Sequence, residues 1–189
     1  MFLERGIRAT TADVAERAGI SEGAIFHRFR SKDALFRAAM RFDPEQLPDV
    51  IATLPSRVGE PDLRATLVDV ASRMLEVGRV ALPVMMMSWS NPAGEYALAK
   101  LPKRTSGYGR VLRAVQAFFE GEVASGRLRP AAPELLARIF MGSLHHYCWS
   151  EILLGSSGAT SPRDFAEGLV DVLFRAASYE EPRPARARK

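Results

Sequence analysis

Residues 10–29 read TTADVAERAGISEGAIFHRF, and this stretch decides the fold of the N-terminal part of the chain. Thr10 or Thr11 is placed to cap a first short helix, because threonine side chains accept hydrogen bonds from the free amides at a helix start. Gly19 follows at the expected end of this helix, where glycine adopts the left-handed conformation at low energetic cost. Ser21 then caps a second helix. The pattern predicts two short helices joined by a tight turn, which is a helix-turn-helix.

The second helix, predicted over residues 22–29, has one apolar face. Ile25 and Phe29 lie four residues apart and are expected to point inward, and Ile20 is expected to anchor the turn in the core. The other residues are small or polar and are expected on the outer surface: Glu22, Gly23, Ala24, His27 and Arg28. Small residues at the start of a helix let its backbone approach DNA, as when a recognition helix enters the major groove.

A third helix is predicted over residues 32–42, with Ser31 as its cap. Its first amides, together with Lys32, form an anion site that suits a backbone phosphate. Residues 1–42 contain eight Lys/Arg against five Asp/Glu, whereas residues 43–179 contain fourteen against fifteen. A basic module on a nearly neutral body favours a polyanionic partner for that module.

Apolar residues recur at helical spacing through most of the remaining chain, without the alternation that is typical of strands. Hydrophobic residues make up 47% and charged residues 25%, which is the composition of a globular protein. The predicted fold class is all-α, with an N-terminal helix-turn-helix module and a larger helical domain. Besides the helix over residues 11–18 and the two already described, helices are predicted over residues 61–79, 105–125, 133–154 and 162–178.

The module boundary is expected in residues 43–59, where three prolines favour a connector or one short helix. A second break is expected over residues 88–102, and Gly/Pro turns over residues 126–133 and 155–162. The predicted domains are therefore residues 1–45, which contain the helix-turn-helix, residues 46–179, which form the larger helical domain, and residues 180–189, which form a disordered basic tail.

The single cysteine, Cys148, cannot form an intramolecular disulfide, which fits a reducing compartment. The longest apolar run, residues 80–87, is interrupted by Pro83 and is far shorter than the ~20 residues of a membrane span. Charged side chains interrupt any apolar segment in residues 1–8, so we expect no signal peptide there. We expect a cytoplasmic protein.

Residues 11–35 resemble the DNA-binding domain of TetR-family transcriptional regulators. The matching elements are Val14-Ala15, Ala18-Gly19-Ile20-Ser21, Gly23, the aromatic pair Phe26 and Phe29, Ser31-Lys32-Asp33, and Leu35. The resemblance implies a ligand-responsive regulator, usually a repressor, that binds a double-stranded DNA operator as a homodimer and is released by a small apolar molecule. The DNA-binding residues are then expected to be Thr11, Ser21, Glu22, Gly23, Ala24, Phe26, His27, Arg28 and Lys32.

The chain departs from the family pattern in three places. Phe26 stands where the family commonly has tyrosine, so no hydroxyl is available there for a phosphate, although His27 and Arg28 are placed to compensate. The approach to the first motif helix, residues 6–14, is slightly shorter than usual. The family's first helix normally begins well upstream of the equivalent of Phe2, so we expect a natural start further upstream or a shortened chain.

A ligand pocket is expected in the larger domain, because methionines and aromatic residues line adaptable apolar sites. The candidate residues are Met85, Met86, Met87, Trp89, Phe118, Tyr147, His146 and Trp149, and the alternative for all of them is ordinary core. His145, His146, Cys148 and Glu151 also invite interpretation as a metal or catalytic site, but no matching ligand set occurs elsewhere. We therefore expect no metal, no cofactor and no enzymatic activity.

The helix over residues 133–154 is apolar on two faces, so it needs two packing partners. With the helix over residues 162–178 it is predicted to build a four-helix interface with a second copy of the chain. The interface residues are expected to be Ile139, Gly142, Phe165, Leu169, Val172 and Ala176. The alternative to a regulator is an all-helical dimeric interaction module that has lost DNA binding, and the operator, the inducer and the sign of regulation stay open.

Overall fold

A computed structural model describes residues 9–40, 47–90, 107–129, 132–155 and 158–178. These residues are helical with connecting turns, and no strand occurs among them. The α-helices are α1 (Thr11–Ala18), α2 (Glu22–Arg28), α3 (Lys32–Met40), α4 (Asp49–Ala52), α5 (Leu63–Ser90), α6 (Gly107–Ala124), α7 (Pro133–Leu154) and α8 (Pro162–Ser178), with a 3₁₀ helix at Leu54–Arg57. The predicted all-α class is confirmed.

The structure changes two of the sequence predictions about helix limits. The helix that was predicted to end at residue 79 continues to Ser90, with Pro83 inside it. Proline lacks the amide for the helical hydrogen bond to the residue four positions earlier, yet the helix continues through Pro83, and its neighbours Leu82 and Val84 are both buried. The connector contains α4 and the 3₁₀ helix, rather than one short helix. The end of the predicted 32–42 helix, most of the 88–102 break and the 180–189 tail lie outside the described residues.

Within the large domain, the described residues between 47 and 178 form one apolar core, to which α4, α5, α6, α7 and α8 contribute. Helix α5 packs against α7 and α8, and α6 packs along α7. The aromatic centre of this core consists of Phe118, Phe119 and Phe140, whose neighbouring rings meet edge to face at centroid distances of 6.0 and 6.2 Å. Burial of side chains of this size supplies the main driving force for the packing.

Polar groups fix how the helices of the large domain meet. Arg79 of α5 donates to both carboxylate oxygens of Glu151 of α7, at 2.8 and 2.6 Å. Glu122 of α6 is fully buried, where its carboxylate accepts from the backbone amide of Gly59 at 2.9 Å and pairs with Arg127 at 3.3 Å. A buried carboxylate needs such partners, so the turn at Gly59 is tied to the end of α6.

Candidate nucleic-acid interface

Helix α1 begins with a complete capping box. The Thr10 hydroxyl accepts from the Asp13 amide at 3.0 Å, and the Asp13 carboxylate accepts from the Thr10 amide at 2.8 Å. Two free amides at the helix start are thereby satisfied. Of the two threonines considered from the sequence, Thr10 is the cap. Thr11 is buried and is the first residue of the helix.

The turn between α1 and α2 is closed by backbone hydrogen bonds. Gly19 has φ 66°, its amide donates to the Glu16 carbonyl at 3.1 Å, and the Ile20 amide donates to the Ala15 carbonyl at 3.0 Å. This pattern is a Schellman motif, which needs a left-handed residue at the glycine. The prediction that Ile20 anchors the turn in the core is wrong, because its side chain is 50% exposed. The hydrogen bonds around Gly19 set the turn instead.

The reading surface is the set of α2 side chains that face away from the core: Glu22, Gly23, Ala24, Phe26, His27 and Arg28, all of them exposed. Ser21 caps this helix through a hydrogen bond from the Ala24 amide at 3.1 Å. Ile25 is only 3% exposed, and Phe29 packs on the same cluster. The predicted division of this helix into an inward and an outward face is confirmed for Ile25 and for the five predicted outward residues, and Phe26 is exposed in addition.

A hydrogen bond locks the first two helices together. The Thr11 hydroxyl donates to the Glu22 carboxylate at 2.5 Å, across the turn. Thr11 therefore holds the first residue of the recognition helix. It was predicted to contact DNA, but the structure places it 9% exposed beneath that helix.

Helix α3 begins at Lys32, four residues after the last residue of α2. Ser31 accepts from the Ala34 amide at 3.1 Å, as predicted. Lys32 is the first residue of this helix and is partly buried. The Arg28 guanidinium lies 5.8 Å from the centre of the Phe29 ring, a cation–π contact that restricts one cationic side chain of the surface. The start of α3 and the end of α2 thus place Arg28, Arg30 and Lys32 within five residues of the chain.

One residue of this module was missed by the sequence analysis. Val84 of α5 is 1% exposed and belongs to the cluster formed by Ala9, Ala15, Ile25, Leu35 and Phe36. Its only sequence signal was membership of the apolar run over residues 80–87, which does not say which core it joins. The long helix α5 therefore contributes to both cores of the chain.

The structure divides the predicted pocket residues. Phe118 and Tyr147 belong to the core, and the Tyr147 hydroxyl donates to the Thr160 carbonyl at 2.9 Å. Met85, Met86 and Trp149 are partly buried, and the side chains of Met87 and Trp89 lie outside the described residues. His146 is exposed, so its assignment to an interior pocket is corrected.

His145 is the histidine of α7 that turns inward. It is partly buried and packs against Tyr108 of α6, with the ring centroids 5.2 Å apart and the ring planes tilted by 38°. Burial lowers the pKa of His145, which keeps its imidazole neutral near pH 7. Burial also raises the pKa of the Cys148 thiol to about 11, so this sulfur is a poor nucleophile and metal ligand. Within the described ranges, no group of three or more metal-ligating side chains is found.

The predicted interface residues also separate into two sets. Ile139, Gly142, Val172 and Ala176 are exposed on α7 and α8. Leu169 is buried in the core of its own chain, and Phe165 is partly buried against Tyr147, with ring centroids 4.5 Å apart. The assignment of Leu169 is corrected, because intramolecular packing already covers its side chain, whereas Phe165 stays a predicted interface residue.

Comparison with known proteins gives two family matches. Residues 1–39 match the family model of bacterial regulatory proteins of the tetR family, and residues 103–178 match the C-terminal domain of AefR-like transcriptional repressors. The HTH-type transcriptional regulator BetI of Escherichia coli O17:K52:H18 is 31% identical over 135 residues, covering 69% of this chain and 68% of that protein. BetI of Stenotrophomonas maltophilia is 26% identical over 175 residues, covering 90% and 85%.

Solved structures share the fold. The TetR-family regulator PfmR of Thermus thermophilus superposes with a TM-score of 0.67 at 17% identity, covering 92% of both chains. FadR of Bacillus subtilis in complex with stearoyl-CoA superposes with a TM-score of 0.61 at 13% identity, covering 92% of this chain and 91% of that chain. NalD of Pseudomonas aeruginosa superposes with a TM-score of 0.58 at 20% identity, covering 92% of this chain and 88% of that chain.

A capped recognition helix with an exposed reading surface, joined to a helical second domain, defines a DNA-binding transcriptional regulator of the helix-turn-helix class. The similarity to curated regulators over two thirds of their length shows the family. The chain belongs to the TetR family of transcriptional regulators, and it is a ligand-responsive DNA-binding protein.

Proposed function

We propose that this chain is a repressor that binds its operator as a homodimer and leaves it when a small apolar molecule binds the large domain. The observation that carries the proposal is the exposed face of α2, where small side chains adjoin cationic ones. No partner within the described part of the chain covers this face, and its composition suits the major groove.

The dimer is proposed to form through the outer faces of α7 and α8. Leu135, Ile139 and Val172 are 55, 41 and 61% exposed, although the opposite faces of both helices are packed against α5. Exposed apolar side chains in such numbers on two neighbouring helices are typical of a protein interface. A twofold axis between the copies would present the two α2 helices to half-sites about 34 Å apart.

The inducer is proposed to bind near the C-terminal half of α5, among Met85, Met86, His145 and Trp149. Methionine side chains adapt to apolar ligands of different shape, and the neutral imidazole of His145 supplies one hydrogen-bonding group. Helix α5 also carries Val84 into the core of the DNA-binding module. A ligand that shifts α5 would therefore favour one placement of the reading surface over another, provided that it binds the two states unequally.

We propose that the protein acts in the cytoplasm, where its DNA and a reduced Cys148 are to be expected. Among the described residues, no helix is long and apolar enough to cross a membrane. Catalysis is not part of the proposal, because the family is regulatory and the buried thiol is unreactive.

The decisive experiment is selection of duplexes from a random DNA pool, followed by fluorescence anisotropy at several salt concentrations. We expect a palindromic site and affinity that falls steeply with salt, as phosphate contacts require. The double variant Ala24→Asp/Arg28→Ala should abolish selection, while Ala117→Asp, an exposed change on α6, should leave it intact. Equal binding to every duplex would contradict sequence-specific regulation. For the inducer, we would identify by mass spectrometry any molecule that copurifies and test whether it releases the selected duplex.

A further inference from the structure

The apolar phenyl ring of Phe26 is exposed to solvent, where its contact with water is unfavourable. Phe26 is 48% exposed, although the residue directly before it, Ile25, is buried. Exposing this much of a phenyl ring costs free energy that is regained when an apolar surface covers the ring. The ring therefore marks the apolar part of the reading surface.

The position of Phe26 makes DNA the surface that covers it. Phe26 follows Glu22 by four residues and Gly23 by three, so these positions share one side of α2. Gly23 and Ala24 project almost no side chain, and the space around Gly23 is open apart from Ser21. A major groove that receives the start of α2 thus brings base edges to the ring, one turn into the helix.

The C5 methyl of thymine is the only alkyl group on a base edge in the major groove. The edges of adenine, guanine and cytosine present hydrogen-bond donors and acceptors there, whereas thymine also presents its C5 methyl. A phenyl ring without a hydroxyl gains little from a phosphate and desolvates a donor or acceptor at a cost. Its favourable contact is with the methyl group.

We propose that Phe26 selects a thymine in each half-site by packing on its C5 methyl group, an inference that rests on the proposed operator binding. Phe26 is then a specificity-determining residue, and the chemical class that it recognises is a 5-methylpyrimidine. His27 and Arg28, at the adjoining positions, supply polar and cationic contacts that are independent of the methyl group.

Replacement of thymine by deoxyuridine tests this directly, because it removes only the methyl group. The probe is the duplex that the wild-type protein selects from a random pool, with each thymine replaced in turn. We expect one position per half-site where the wild type loses about fourfold in affinity, as burial of a single methyl group predicts, and a larger loss when both half-sites are changed. The Phe26→Ala variant should bind the thymine duplex more weakly and should bind both duplexes equally.

Two further variants make the test specific. Phe26→Tyr keeps the ring and should keep the preference for thymine, and His27→Ala should keep it as well, at whatever overall affinity remains. A 5-methylcytosine placed at the same position should bind better than cytosine. Specific binding without any deoxyuridine effect, or a Phe26→Ala variant that still discriminates, would overturn this inference alone. If no duplex is selected at all, the proposed function fails and the inference fails with it.

Discussion

Val84 of α5 and Ile25 of the recognition helix are buried in the same hydrophobic cluster, at 1 and 3% exposure. The two residues are far apart in sequence and belong to different functional parts of the chain. Leu82, two residues before Val84, is buried in the core of the large domain instead. Helix α5 is thus a continuous mechanical connection between the two cores, with Pro83 between its contacts.

Truncation of Val84 should weaken the DNA-binding module specifically. Val84→Ala removes buried methyl groups and is expected to cost roughly 2 kcal/mol of stability, which lowers the melting temperature by about 4–8 °C in a chain of this size. Operator affinity should fall too, because Ile25 and the reading surface lose support. Val80→Ala is the matched control, one turn earlier on α5 and 40% exposed. An equal loss in both variants, measured by thermal unfolding and anisotropy, would refute the role of Val84.

The parts of the fold that were predictable from sequence are those with local causes. The caps at Ser21 and Ser31 and the left-handed Gly19 depend on residues within one helical turn, and the structure has all three. Their side chains can satisfy free amides only at a helix end, so the sequence pattern carries the geometry. The same holds for the outward position of Glu22, His27 and Arg28 once Ile25 is placed inward.

The parts that were not predictable depend on distant contacts. The exposure of Ile20 and the burial of Val84 follow from which surfaces meet in three dimensions, and both residues are simply apolar in sequence. Leu169 and Val172 likewise look equivalent, yet one is buried in its own chain and the other is 61% exposed. Hydrophobic periodicity identifies apolar faces without identifying their partners.

The exposed face of α8 should control assembly. Val172→Asp is expected to convert the dimer to a monomer, because it places a charge on the proposed apolar interface. Loss of the dimer should account for any fall in the melting temperature, because Val172 is exposed and does not belong to the core of its own chain. Ala117→Asp, exposed on α6, is the control. Sedimentation at micromolar concentration decides the matter, and a dimer that survives Val172→Asp would place the interface elsewhere.

Lys32 should contribute to affinity without contributing to sequence preference. Lys32→Ala is expected to weaken binding to all duplexes similarly and to lower the slope of log affinity against log salt by ~1, as loss of one phosphate contact requires. Arg163→Ala removes the same charge from a distant, exposed site on α8 and should leave the slope unchanged. An unchanged slope in Lys32→Ala, measured across several salt concentrations, would remove Lys32 from the interface.

The contact between α5 and α7 depends on a glycine opposite a cysteine. A Cβ at Gly78 would lie 2.8 Å from the Cys148 sulfur, which is buried and donates weakly to the Leu75 carbonyl at 3.6 Å. Overpacking in Gly78→Ala should therefore lower the free energy of unfolding by about 1–3 kcal/mol. The higher helix propensity of alanine offsets ~1 kcal/mol of this loss.

Removal of the sulfur should reverse this effect, which makes the prediction testable as a double-mutant cycle. Cys148→Ala alone leaves a small cavity and is expected to destabilise, whereas Gly78→Ala/Cys148→Ala fills that space from the opposite helix. The double variant should be more stable than the sum of the single changes by about 1 kcal/mol or more. Urea unfolding of all four proteins measures the coupling. If the losses of unfolding free energy are additive, α5 and α7 do not approach each other closely at Gly78 and Cys148. The contact that fixes α5 to the large domain before Val84 would then be refuted.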